Sequence, residues 1–303
     1  GTDASDANSQ PGTVVIDVMA LYTPAVSEMY NGEPETMILQ ELEWGNQALR
    51  NNNINARFRL VKTQSTNYEG LDIEVALDAM IDQSGVFEGI DAMREEVGAD
   101  LLALYIEKDP DSDVCGKASI PGYGSNGDLA VSRRSQIATV VAKGAAGCRT
   151  SNLTHEFGHN LGLGHSARQE TTGTFTWSRG HGVDGLFTTI MAYSSAYDYF
   201  GPDIQYFSNP DISCNGQLCG VDKSDLSLGA DAALSIRTTM YQIAELTADV
   251  GTVDNDGDGI TNDIDAFPND PMETKDSDGD GVGDNADAFP LDPTEQVDSD
   301  GDG

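Results

Sequence analysis

The stretch His155-Glu156-Phe157-Gly158-His159-Asn160-Leu161-Gly162-Leu163-Gly164-His165 decides how this chain is read. His155 and His159 stand four apart, so on a helix they share one face and can present two imidazoles to one metal ion. Glu156 follows the first histidine, where its carboxylate reaches an activated water instead of the metal itself. Gly162 lets the chain leave the helix through a turn that a side chain would obstruct, which brings His165 round as a third nitrogen ligand. Three protein ligands leave a fourth position open, the pattern of a catalytic and not a structural zinc site. An all-nitrogen donor set suits zinc better than calcium or magnesium. Zinc in such a site lowers the pKa of water from about 15.7 toward ~7 and polarises a carbonyl. Glu156 would take the water proton as general base and return it to a leaving amine. A bare His-Glu-x-x-His recurs by chance, but the elongated form is specific, and it holds three of the chain's four histidines. The fourth, His181, lies in a Gly-rich loop and reads as structural or substrate-facing.

Working outward, the N-terminal side alternates strand and helix patterns. Val14–Tyr22 is a continuous apolar run of the kind that forms a buried strand. Residues 35–52 carry Ile38, Leu42, Gly45 and Leu49 at helical spacing, and 55–63 alternate as a second strand. Helical stretches are expected at 71–83 and 86–97, a third buried strand at 99–107, and strand-like segments within 129–143. The zinc helix should run over about 151–163, followed by a loop-rich 166–222 and a last amphipathic helix over 224–247. This order predicts an α/β (α+β) fold with a twisted, mostly parallel sheet. Residues 1–12 read as a flexible start, 13–250 as the catalytic domain and 251–303 as a separate acidic tail with little regular secondary structure.

With the histidine motif, Thr188-Thr189-Ile190-Met191-Ala192-Tyr193 downstream resembles the metzincin zinc metallopeptidases, whose signature pairs the long zinc motif with a Met-turn. The resemblance implies a metzincin catalytic domain, with a mainly parallel sheet and an antiparallel edge above a horizontal cleft. It implies that Met191, 26 residues after His165, forms an apolar floor under the histidines. It also implies that Tyr193, in the Met-x-Tyr arrangement of the astacin and serralysin branches, stabilises the oxyanion. The opening Val15-Ile-Asp-Val-Met-Ala-Leu-Tyr-Thr-Pro-Ala25 and Tyr206-Phe-Ser-Asn-Pro-Asp211 look like bacterial reprolysin-like and peptidyl-Asp metallopeptidases. Those relatives usually carry Asp after the third histidine, whereas this chain has Ser166, so Asp-directed specificity does not follow. In this clan the segment after the Met-turn walls the S1′ pocket, which directs attention to residues 194–210.

The tail repeats with a period of 22: Asp254-Asn-Asp-Gly-Asp-Gly recurs from Asp276 and again from Asp298. Asp254, Asp256, Asp258, Asn262 and Asp265 fall at positions 1, 3, 5, 9 and 12 of a calcium loop, as do Asp276, Asp278, Asp280, Asp284 and Asp287. Ile260 and Val282 would offer backbone carbonyls at position 7, and Gly259 and Gly281 would supply the turn at position 6. No helix pattern flanks the loops, and Pro268 and Pro290 follow closely, so this is no EF-hand. The period resembles thrombospondin type 3 repeats, which implies calcium binding and a stiffened spacer. A solvated acidic linker is the competing view.

The formal net charge is −35, and residues 254–303 hold 17 of the 51 acidic residues against one of the 16 basic ones. Such a chain repels nucleic acid and anionic membranes, and cations are its natural partners. No run of about 18 apolar residues predicts a transmembrane helix. Cys115, Cys148, Cys214 and Cys219 form no Cys-x-x-Cys pair, so two disulfides in an oxidising compartment are expected, Cys115–Cys148 and Cys214–Cys219 by sequence proximity. The chain opens on Gly1, consistent with a secreted mature form whose leader has been removed. Together these features predict a secreted, monomeric zinc endopeptidase acting on proteins or peptides, with zinc and calcium as cofactors. The alternatives are a calcium-binding adhesion or matrix module with a latent protease domain, and a zinc hydrolase of a non-peptide amide.

Overall fold

Strand β1, Val14–Tyr22, sends alternate side chains to two different cores, as the period of a strand requires. Ile16, Val18 and Ala20 join one cluster with Ile38, Leu42 and Leu49, and Met19 and Leu21 join another with Leu77 and Met80. A strand covered on both faces reads as a continuous apolar run, which is why the alternation is hidden in the sequence. In this computed structural model the described residues are 12–132, 134–144, 148–247, 266–267, 270–276 and 281–290. The chain divides into two units, Gly1–Thr247 and Ala248–Gly303.

In the first unit β1 is followed by α1 (Pro24–Met29), α2 (Pro34–Asn51), β2 (Ala56–Ser65), α3 (Ile73–Ile81), α4 (Ile90–Glu96) and β3 (Leu101–Glu107). Then come β4 (Gly116–Ala118), β5 (Ala138–Lys143), α5 (Asn152–Asn160), β6 (Gly164–Ser166), β7 (Arg179–Gly180) and, after further short strands, α6 (Ala232–Ala244). The sheet order is β2-β1-β3-β5-β4. All pairings are parallel except β4 on β5, where Gly116 faces Val141, so the sheet is mostly parallel with an antiparallel edge. α3 and α4 cover one face, while α2, α5 and α6 cover the other.

Several boundaries differ from expectation. The last helix begins at Ala232, not at 224. Asp225 is the cause: its carboxylate accepts the N–H groups of Ser227 (3.0 Å) and Leu228 (2.9 Å), an alternative to helical bonding. Leu226 and Leu228 fit helical spacing in the sequence, yet both are exposed. The stretch 86–97 is broken at Gly89, whose φ is +79°, leaving only α4 helical beyond it. The strand-like region 129–143 contracts to β5. α5 stops at Asn160 because Gly162 turns with φ +84°, and the N–H of Leu163 bonds back to Gly158 O at 3.0 Å.

In the second unit, Asp254, Asp256, Asp258, Ile260, Asn262, Asp265, Asp278 and Asp280 lie outside the described residues. Of the second loop, Asp276, Val282, Asp284 and Asp287 are described. Gly281 has φ +92°, and its N–H donates to Asp276 Oδ2 at 2.9 Å. Asp287 is buried, its Oδ1 accepts the N–H of Phe289 at 2.8 Å, and its Oδ2 makes no hydrogen bond among the described residues. None of the described residues of this unit forms a helix or strand.

Candidate metal and catalytic site

α5 carries the site and is fixed from several sides. Leu153 and Phe157 enter the core, with the Phe157 ring 5.1 Å from that of Phe58. Asn160 sits at the end of the helix and bonds β5 and the residue that follows β4. Its Nδ2 donates to Ser119 O (3.0 Å) and Ala138 O (3.2 Å), and its Oδ1 accepts from Thr139 Oγ1 (2.7 Å). Thr239 of α6 donates to Leu161 O at 3.0 Å.

On this support the ligating atoms of His155, His159 and His165 lie within 4.8 Å of one another. Each helix histidine is oriented through its other nitrogen. His155 Nδ1 is 2.7 Å from Ile190 O, and His159 Nδ1 is 2.8 Å from Leu163 O. These contacts turn the Nε2 atoms inward, and His159 Nε2 stands 3.1 Å from His165 Nε2. β6 delivers His165 from the turn at Gly162 by pairing with β7. Burial lowers the pKa of all three imidazoles, with His165 brought down to about 4. Neighbouring imidazoles add to the effect at His155 and His165. Three neutral imidazoles with converging lone pairs fit a zinc ion, since the ligating form of histidine is the unprotonated one. His181 does not belong to this cluster.

Glu156 is buried, and its Oε2 has no hydrogen-bond partner among the described residues. Burial pushes its carboxyl up to about 8. Gly116 of the edge strand lies against it. Met191 is fully buried and packs under α5 at Gly158, and the preceding carbonyl, Ile190 O, is the one that orients His155. Tyr193 is half exposed, with its ring centroid 4.4 Å from that of His165 and 5.7 Å from that of His155. Its hydroxyl pKa is raised by burial and by the charge of Glu156. Gln169, which the sequence did not single out, accepts from Tyr193 N (3.1 Å), Ser166 Oγ (2.8 Å) and Ser166 N (3.3 Å). It thereby joins the strand of His165 to the tyrosine.

A cleft of about 390 Å³ opens on His155 and Glu156 and is lined by Gly116, Arg149, Tyr193 and Asp203 among others. Cys115 is bonded to Cys148, and Cys214 to Cys219, the pairing expected from proximity. The first bridge ties the edge strand to the segment entering α5. Gly116 and Arg149 also went unnoticed in the sequence. Only a lone basic residue six positions before His155 in a strongly acidic chain could have marked the latter. No helix among the described residues is long and apolar enough to cross a membrane.

Residues 15–225 match the reprolysin-like metallopeptidase family M12B. A peptidyl-Asp metalloendopeptidase of Pseudomonas aeruginosa is 33% identical over 296 residues, covering 90% of this chain and 46% of the relative. One of Xanthomonas campestris pv. campestris is 27% identical over 224 residues, covering 72% and 49%. The chain thus spans about half the length of these relatives. Among solved structures, one described as a chaperone–substrate complex shares the fold, with a TM-score of 0.61 at 20% identity, covering 78% of this chain and 39% of that one.

Proposed function

Since the chain belongs to the reprolysin-like metallopeptidases of family M12B, we propose that it is a secreted zinc endopeptidase in which His155, His159 and His165 hold the metal and Glu156 is the general base. The observation that carries this reading is the convergence of three imidazoles within 4.8 Å beside a buried carboxylate in an open cleft. Zinc, when bound, supplies acidification of water and polarisation of the scissile carbonyl. Ile190 O and Leu163 O hold His155 and His159 in the tautomer that leaves Nε2 free. Glu156 Oε2 takes a proton from the attacking water and returns it to the leaving amine. The Tyr193 hydroxyl, on a ring stacked against His155 and tilted against His165, donates to the oxyanion. Met191 and Gly162 are structural: one closes the floor, the other turns the chain toward His165. Two disulfides support an oxidising, extracellular destination. The relatives are named peptidyl-Asp metalloendopeptidases, and we carry a preference for Asp at the cleavage site to this chain.

We also propose that the tail, from about residue 251, binds calcium through its Asp-rich loops. Support comes from the repeat spacing, the Gly281 turn bonded to Asp276, and the buried, half-satisfied carboxylate of Asp287 at position 12. Isothermal titration of the whole chain with calcium should show saturable binding that Asp276→Ala with Asp287→Ala reduces. Unchanged binding would leave the tail an acidic linker.

The test of the peptidase reading is cleavage of denatured casein by the wild type and by Glu156→Ala, each with and without a zinc chelator. Cutting that both interventions abolish supports the reading. Stoichiometric zinc without any cutting sinks it and favours a latent protease domain on a calcium-binding module.

A further inference from the structure

Among the described residues that line the cleft, Arg149 is the one with a fixed positive charge. It follows Cys148 in the segment leading to α5, and it reaches across to the chain that follows Met191 and Tyr193. Its Nη1 is ion-paired with Asp203 Oδ1. Its Nη2 lies 3.3 Å from Ser194 Oγ and 3.4 Å from Gly201 O. Those are long contacts for a charged donor, whose bonds run to about 2.7–2.9 Å. The Asp203 side chain is 8% exposed and that of Arg149 41%. Asp203 therefore backs and orients the guanidinium, while another edge of the planar fork stays open to the cleft. A guanidinium offers five N–H donors in fixed geometry, enough for a second carboxylate beside the first.

We propose that Arg149 is the specificity-determining residue, binding an acidic side chain next to the scissile bond on the side walled by residues 194–203. The assignment rests on the endopeptidase reading above and adds to it the group that does the recognising. It has a consequence that mere loss of a contact would not have. Asp113 also lines the cleft, so removal of Arg149 leaves Asp113 and Asp203 in addition to Glu156 and no cationic side chain. The preference should invert toward a basic side chain, not simply flatten.

The experiment uses three peptides that differ only at that position, Asp, Asn or Lys, with the whole zinc-loaded chain as wild type, Arg149→Met and Arg149→Lys. In the wild type, kcat/KM for the Asp peptide should exceed that for Asn by roughly 10- to 100-fold, the range for hydrogen bonds to a charged group. Arg149→Met should give the order Lys, Asn, Asp, and Arg149→Lys a weakened preference for Asp. Ratios within one variant do not depend on the fraction of active molecules. The same peptides titrated against Glu156→Ala, with and without Arg149→Met, read the order by binding alone. Equal handling of Asp and Asn by the wild type, or a preference for Asp that survives in Arg149→Met, overturns the assignment while cleavage itself upholds the endopeptidase reading. If no peptide is cut, that reading fails, and the binding order on Glu156→Ala still decides the role of Arg149.

Discussion

Met191 Sδ occupies the place where a side chain on Gly158 would begin: a Cβ built there stands 2.4 Å from the sulfur. Gly158 is an ordinary helical residue between His155 and His159, so contact and not backbone conformation excludes a side chain. Gly158→Ala should force Met191 aside and lower the unfolding free energy by about 1–3 kcal/mol, the usual cost of overpacking a core. Zinc affinity, read by chelator competition, should fall with it. If neither moves, Met191 yields freely and is no floor.

Gly116 has the same relation to Glu156. A Cβ at Gly116 would lie 2.5 Å from Glu156 Oε1. Gly116→Ala should lower kcat by about 100-fold, the effect of displacing a reacting group by roughly 1 Å, with KM and zinc content little changed. A variant with wild-type kcat would show that the edge strand does not position the carboxylate.

Stripping zinc should destabilise the first unit as well as silence it. His155 and His159 are held by backbone carbonyls, and with His165 they bring three lone pairs to one point. Metal at 100 times its dissociation constant should add about 2.7 kcal/mol by mass action, seen as a higher melting temperature. His165→Ala should lose this response, and a metal-independent melt in the wild type would argue against a zinc site.

Asp100 makes stability depend on pH. It accepts from Asp17 N (2.9 Å) and from Thr247 Oγ1 (2.9 Å), but burial outweighs these bonds and raises its pKa from 3.8 to about 6. A carboxyl raised in the folded state contributes stability that is complete below pH 3.8 and lost as pH climbs to about 6. The difference in unfolding free energy between wild type and Asp100→Asn should therefore shift by about 2–3 kcal/mol across that window, in favour of the wild type at the acid end. Parallel curves for the two proteins would refute the assignment.

The two disulfides should differ in weight. Cys115–Cys148 closes 33 residues and Cys214–Cys219 only 5. Chain entropy predicts losses of roughly 3–4 and 2 kcal/mol when each pair is replaced by serine. Denaturant unfolding of the two double variants measures this, and a reversed order would mean that local packing outweighs loop closure.

What could be read from the sequence was what lies close along the chain. His155, His159 and His165 are set by helix spacing and one glycine turn, and the cysteine pairs by proximity. β1, β3 and α2 announce themselves through long apolar patterns. Gly116 was invisible because it meets Glu156 only through the antiparallel pairing of β4 with β5. Arg149 and Asp203 are 54 residues apart and meet across the cleft. Gln169 works through a side-chain bond to the backbone of Tyr193, which no pattern announces. The false helix at 224–231 arose because Leu226 and Leu228 mimic a helical face, while the competing carboxylate of Asp225 is a strictly local effect.

The Cys115–Cys148 bridge joins the residue before Gly116 to the residue before Arg149. One covalent bond thus sets the spacing of the two walls between which a substrate would lie. A newly made chain acquires that spacing only where thiols are oxidised. Maturation of the cleft is thereby tied to an oxidising environment, and a chain kept reduced would have its jaws still unset.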